Sequence, residues 1–209
     1  MEWILKNKPE LANLVSHWQV EGQSGKHLMS VLRKTRLTRI LERMVDENEF
    51  LSPYGIRSMS KIYAENPYTF SVDGKDFKVK YTPAESDSSM FGGNSNWRGP
   101  IWFPINFLIV ESLQRFHYYY GDNLQIQYPA NSGEMKNLDY IATDLSKRLY
   151  TIFRKDEKGD RAFNGKNELM NHNEFFKNYI MFHEYFNGDT GEGIGASHQT
   201  GWTATIAKL

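Results

Sequence analysis

Apolar residues recur at helical spacing along much of the chain, and each such stripe predicts a helix with one buried face. Residues 26–45 place Leu28, Leu32, Leu37, Ile40, Leu41 and Met44 near one side. Residues 137–154 do the same with Leu138, Ile141, Leu145, Leu149, Ile152 and Phe153. A third helix is predicted over 104–120, with Pro104 suited to its first turn and Gly121 to its stop. Weaker patterns predict helices over 9–18, over 174–186 with Phe175, Ile180, Phe182 and Phe186 apolar, and over 199–209 with Ser197 as its cap. The period shortens to two at 69–72 and 77–81, on either side of Asp73-Gly74, which predicts a hairpin. An isolated hairpin is marginal in water, so it is expected to lie on the helical body. Residues 51–60 lack a helical period and contain Ser-Pro-Tyr-Gly, which reads as a long loop, and 155–165 reads as a polar turn. The pattern predicts a mainly α fold over 1–209 as a single domain, with helices joined by aromatic and glycine-rich loops and one small β-hairpin.

Charge and composition narrow the partners. Lys plus Arg and Asp plus Glu both number 25, so the formal charge is zero and nothing favours nucleic acid or an anionic membrane. The basic run Arg33, Lys34, Arg36, Arg39 and Arg43 is interleaved with and followed by Glu42, Asp46, Glu47 and Glu49, which makes it a solvated helix face. Cysteine is absent, which excludes a disulfide framework, a thiolate metal site and a cysteine nucleophile. With neither a signal-peptide core nor a membrane-length apolar run, the chain is expected to be soluble and cytoplasmic.

Two passages concentrate the candidate chemistry. Residues 94–104 read Asn-Ser-Asn-Trp-Arg-Gly-Pro-Ile-Trp-Phe-Pro, and residues 184–202 run from Glu184 through a glycine-rich turn to His198, Gln199 and Trp202. Indole faces from Trp97, Trp102 and Trp202, the fixed donors of Arg98, the amides of Asn94 and Asn96 and an isolated carboxylate at Glu184 suit a polyhydroxylated ring. Gly92, Gly93 and Gly99 would let the backbone bend sharply before the following helix. The same residues also fit a buried aromatic cluster with Arg98 paired to a carboxylate such as Glu111, and His198 fits either a structural or a ligand-facing role. Near aromatic neighbours, Glu184 could act as a general base.

Other chemistries are excluded by spacing. Ser197 and His198 are sequence neighbours without a nucleophile elbow, so no Ser-His-Asp triad is assigned. The run from Gly191 to Gly195 follows a predicted helix instead of a strand and is not a dinucleotide fingerprint. Asp189, Thr190 and Glu192 lack the calcium-loop pattern, leaving at most a weak cation contact. No metal or cofactor is expected.

Four ordered segments resemble the C-terminal part of the catalytic domain of glycoside hydrolase family 63, which includes glucosidases and mannosylglycerate hydrolase-like enzymes. They are Phe-Leu-Ser-Pro-Tyr-Gly-Ile-Arg-Ser at 50–58, Pro-Ala-Glu-Ser at 83–86, Gly-Gly-Asn-Ser-Asn-Trp-Arg-Gly-Pro-Ile-Trp at 92–102, and the passage 184–202. The resemblance covers roughly residues 37–209 and implies the latter part of an (α/α)6 toroid of the six-hairpin glycosidase type. It further implies inversion at the anomeric carbon of an α-linked glucose- or mannose-containing saccharide, with Glu184 as catalytic base. Trp97, Arg98 and Trp102 match the family's substrate-lining motif, and Glu85, His198 and Trp202 are further candidates for the substrate pocket. The family's general-acid aspartate lies upstream in a Trp-Asp segment that has no counterpart in residues 1–45, and Asp46 has the wrong neighbours. The isolated chain is therefore expected to be inactive and to need the missing N-terminal half as a partner. A non-catalytic carbohydrate-binding or structural helical domain is the alternative.

Overall fold

The computed structural model describes residues 2–12, 16, 19–88 and 96–209. About 40% of the chain is helical, and the strands are short. The helices are α1 (Glu2–Asn7), α2 (Pro9–Ala12), α3 (Lys34–Met44), α4 (Phe103–Tyr120), α5 (Leu138–Thr151), α6 (Glu168–His172) and α7 (Thr200–Thr203). Instead of the one expected hairpin, the described residues form four antiparallel pairs: β1 (Leu51–Ser52) with β2 (Gly55–Ile56), β3 (Tyr68–Val72) with β4 (Lys75–Val79), β5 (Gln125–Gln127) with β6 (Met135–Asn137), and β7 (Tyr185–Phe186) with β8 (Gly193–Ile194).

Helices α4 and α5 make the most extensive contact between any two helices and form the body of the fold. Pro104 sits in the first turn of α4, and Gly121 at φ 55° ends it with its N–H on the His117 carbonyl. Asn137 caps α5 by accepting the Tyr140 N–H at 2.9 Å. One core cluster joins Leu37 and Leu41 of α3 to Val110 and Leu113 of α4 and to Leu138, Ile141 and Leu145 of α5. A second gathers Ile101, Phe103, Leu149, Ile152, Phe153, Phe163 and Phe186, where the start of α4 meets the end of α5 and strand β7. The charged side of α3 faces solvent, with Arg36 and Arg39 exposed and Arg43 paired with Glu49 at 2.6 Å.

Several sequence expectations are corrected. The helix expected from residue 26 begins only at Lys34, because the backbone groups of Leu28 and Ser30 are taken up by hydrogen bonds with the backbone and hydroxyl of Ser16. Of the helix expected over 9–18, α2 is seen, and most of the remainder lies outside the described residues. The segment 51–60 is not a loop throughout: β1 and β2 form a tight hairpin there. No helix spans 174–186; Phe175, Tyr179 and Ile180 are exposed, and residues 182–186 are non-helical, with Phe182, Tyr185 and Phe186 pairing with residues distant in sequence. At the C-terminus a single α-turn precedes a 3-10 segment (Ala204–Lys208), and Gln199 takes the cap position expected for Ser197.

The β3–β4 hairpin has the expected two-residue turn, with Asp73 and Gly74 both at positive φ, as a type I′ turn requires. It does not lie on the helical body. Tyr68, Phe70 and Phe77 are all exposed; Phe70 stands opposite Phe77 and Tyr68 opposite Val79 across the two strands, and the Tyr68 ring meets Tyr63 edge-on at 6.3 Å.

One buried amide joins the body to the loops above it. Asn106 of α4 accepts the Ile56 N–H at 2.7 Å and donates to the Ile56 carbonyl at 3.0 Å, satisfying both backbone groups of Ile56 in β2. Replacing Asn106 by alanine would leave both groups buried without a partner. The Asn106→Ala chain is expected to lose about 2–6 kcal/mol of stability in urea unfolding, about 1–3 kcal/mol for each of the two orphaned groups.

Candidate active site

Backbone pairing assembles the candidate site from segments far apart in sequence. Ile101 bridges to Arg57 on one side and to Phe186 on the other. The Phe186 exchange is reciprocal, with Ile101 N–H donating to the Phe186 carbonyl at 2.8 Å and Phe186 N–H donating back at 3.0 Å. Residues 182–186 and 193–199 run beside each other as an irregular extension of β7–β8. Glu184 N–H reaches the Ala196 carbonyl at 2.8 Å, and Gln199 N–H reaches the Phe182 carbonyl at 2.7 Å. Gly188 N–H donates to the Pro83 carbonyl at 2.9 Å, which joins the segment around Glu85 to the same assembly.

The rings form a stack. Trp97 lies on Trp102 at 3.9 Å between centroids, Trp102 on Tyr185 at 4.8 Å, and Trp202 meets Trp102 edge-on at 6.2 Å. Trp102 is only 2% exposed and donates its Nε1–H to the Asn96 carbonyl, so its faces are taken up by the stack. The rings open to solvent are Trp97, 43% exposed, and Trp202, 38% exposed.

Glu184 is half-buried beside this stack, and its Oε2 accepts the Ala196 N–H at 3.4 Å. Burial, followed by the charges of Glu85 and Glu184, pushes the Tyr185 hydroxyl up to about 12, so both carboxylates act on one phenol. Glu85 itself is exposed. His183 packs between Phe163 and Phe186. Burial lowers its pKa, and His198 adds to the shift. His198 is exposed and bridges Phe182.

Two polar residues expected to face a ligand are engaged in the fold. Asn96 is buried, donating its amide to the carbonyls of Thr82 and Ala84 and accepting the Arg98 N–H. Arg98 is buried and joins Ser86 at 3.0 Å and Asp87 at 2.9 Å, so its carboxylate partner is Asp87 and not Glu111. Hydrogen bonds from Lys80 and then Arg98 hold the Asp87 carboxyl below its usual range. Asn94, Gly92 and Gly93 lie outside the described residues.

Sequence reasoning missed a charged cluster beneath the turn after Glu184. Asp189 accepts hydrogen bonds from Arg57 at 3.0 Å, the Tyr81 hydroxyl at 3.1 Å and Lys61 at 3.3 Å. Its motif position drew attention to Asp189 only as a cation contact; here it is committed to cationic side chains. Among the described residues no group of three or more histidines and carboxylates is placed to hold a metal. No helix among them is long and apolar enough to cross a membrane. A cavity of about 800 Å³ opens beside Tyr54, Arg154, Lys166 and Glu192, and none of the candidate site residues lines it.

Residues 27–209 match the model of the glycosyl hydrolase family 63 C-terminal domain. An uncharacterized protein of Saccharomyces cerevisiae is 48% identical over all of this chain, which covers 19% of that protein's length. A Schizosaccharomyces pombe protein named "Probable mannosyl-oligosaccharide glucosidase" is 28% identical over 83% of the chain, covering 15% of its own length. The mannosyl-oligosaccharide glucosidase of Saccharomyces cerevisiae is 23% identical over 83% of the chain, again covering 15% of its length. The chain thus spans less than a fifth of each of these relatives.

Two outcomes follow from the site's packing. A Cβ at Gly188 would stand 2.3 Å from the Gly99 carbonyl oxygen, a backbone atom two residues before Ile101. Gly188→Ala is expected to cost about 1–3 kcal/mol in urea unfolding as the turn is pushed off its seat. The second concerns His183, whose folded pKa is lowered. Above the ordinary histidine range neither state binds the proton, so stability is unaffected; as pH falls through that range the unfolded chain is protonated first and stability drops. Between about pH 7.5 and about pH 5 the thermal midpoint of the native chain should fall further than that of a His183→Gln chain.

Proposed function

The chain belongs to glycosyl hydrolase family 63, and from that premise we propose that it carries the general-base side of an inverting glycosidase site. Glu184 is the base, and the substrate is an α-linked glucose- or mannose-containing saccharide, a choice supported by the names of two relatives. The observation that carries this reading is the convergence of Glu184 with the Trp97, Trp102, Tyr185 and Trp202 rings, brought together by backbone pairing between distant segments.

In this reading Trp97 and Trp202 offer ring faces to the apolar side of a sugar. The half-buried Glu184 carboxylate, oriented by the Ala196 N–H, takes a proton from a water that attacks the anomeric carbon. The water's oxygen bonds to that carbon as the glycosidic bond breaks on the opposite face, and the leaving oxygen receives a proton from a carboxylic acid. Inverting sites hold the two carboxyl groups about 6.5–9.5 Å apart to leave room for the water. The acid comes from polypeptide outside this domain, in keeping with the much greater length of the relatives, and the same polypeptide completes an (α/α)6 toroid. The chain alone then has negligible turnover, since a missing acid forfeits about 10²–10⁴-fold in rate and the missing wall removes positioning.

One observation favours a binding-only reading: Asn96 and Arg98 are committed to the fold, leaving the exposed indoles as a simple platform. Hydrolysis of α-linked gluco- and manno-disaccharides separates the two. The chain should be silent alone and active when mixed with the upstream part of a related catalytic domain, and Glu184→Gln should lower that turnover about 10²–10⁴-fold while calorimetry still detects sugar binding. Binding with no turnover in the mixture would favour the platform, and full turnover by Glu184→Gln would reject the base assignment.

A further inference from the structure

The turn that follows β7 is closed by its own bonds. Asn187 Oδ1 accepts the N–H groups of Asp189 at 2.8 Å and Thr190 at 3.2 Å, and the Asn187 backbone pairs with Glu192 and Gly191. The Asp189 carboxylate is therefore not needed to form the turn. Its bonds all run outward, to Arg57 of the segment after β2, to Lys61, and to Tyr81 beyond β4.

Arg57 makes this attachment demanding. Its side chain is 4% exposed, its Nη1 donates to the Leu51 carbonyl, its Nε to the Tyr81 hydroxyl at 3.1 Å, and its Nη2 to Asp189. Asp189 is the carboxylate with which it forms an ion pair. Nη1 also reaches the Glu47 carbonyl at 3.5 Å, so this buried guanidinium has three neutral partners and one anion, and losing the anion would leave its charge buried without compensation. Gly188 fits against the Gly99 carbonyl and the Tyr81 hydroxyl with no room for a Cβ, so the seat is tight in shape as well as charge.

We propose that Asp189, clamped by Arg57, Tyr81 and Lys61, is the positioning residue of the candidate site: it fixes the β7–β8 hairpin and thereby where Glu184 stands relative to the Trp97–Trp102–Tyr185 stack. The significance of that position rests on the reading of Glu184 as a base; the clamp itself does not. Arg57 and Asp189 belong to two of the family-like segments, so the clamp joins them in space.

Amide hydrogen exchange of the full 209-residue chain, free of sugar, tests the clamp. Asp189→Asn keeps the shape and removes the charge. It should speed exchange at Glu184, Phe186 and Gly188 by about tenfold or more, the loss of a charge-assisted bond, while the α5 amides from Ile141 to Leu149 keep their protection. Contact between the Glu184 side chain and the Ala196 amide proton, read by NMR, should weaken in the same variant. Tyr81→Phe, which removes one hydroxyl and no charge, should give a smaller change at the same amides and decides the matter if Asp189→Asn does not fold. Asp189→Glu should recover part of the protection. Unchanged exchange at the three amides, or a loosening shared equally by α5, would overturn the proposal. Since no sugar is present, a chain that hydrolyses nothing under any condition still leaves this test decisive, and that outcome would count against the glycosidase reading alone.

Discussion

Ile101 and Phe186 exchange two backbone hydrogen bonds where both side chains are fully buried, and the arrangement of the candidate site depends on that exchange. Water cannot compete for these groups, so breaking the pair would strand a donor and an acceptor on each strand. Arg57 bridges the same Ile101 from its other side. Three segments that are separated by long stretches of chain are thereby held as neighbours, and the aromatic cluster of Phe103, Phe153, Phe163 and Phe186 fills the space beneath them. The rings above this floor owe their order to it: Trp102 directly follows Ile101, and Tyr185 directly precedes Phe186.

The site therefore divides into what is presented and what presents it. Trp97, Trp202, Glu184 and Glu85 stand at or near the surface, whereas Trp102, Asn96, Arg98 and Arg57 are buried and joined to backbone carbonyls, hydroxyls or carboxylates. Residues with the richest hydrogen-bonding capacity were natural candidates for sugar contact. Much of that capacity is spent on holding loops that lack regular secondary structure, which leave backbone groups in need of partners. Functional groups on such loops require this scaffolding because no helix or sheet ladder supplies it.

Legibility in the sequence followed the range of the interactions. Helices α4 and α5 were readable because their stripes and caps are local, and the Asp73-Gly74 turn was readable because two residues determine it. Residues 182–186 were misread as helix because Phe182 and Phe186 fit a helical period while partners far along the chain, Ile101 and 193–199, impose extended structure. The non-helical course of 28–30 was hidden for the same reason, its partner being Ser16. Family-like motifs pointed to Glu184 and the tryptophans, but no local pattern could reveal that Arg57, Tyr81 and Asp189 share one cluster. Asn106 was equally silent, a single amide on a helix otherwise read for its apolar face.

The ring stack also gives the molecule an optical property. Of the five tryptophans, Trp97, Trp102 and Trp202 belong to one cluster beside Glu184, and Trp97 and Trp102 lie almost parallel at 3.9 Å. Indoles so close exchange excitation readily, so light absorbed by any of the three is shared before it is emitted. No tryptophan lies within α4 or α5, so the emission of these three indoles registers the polarity beside Tyr185 and Glu184 and not that of the α4–α5 body.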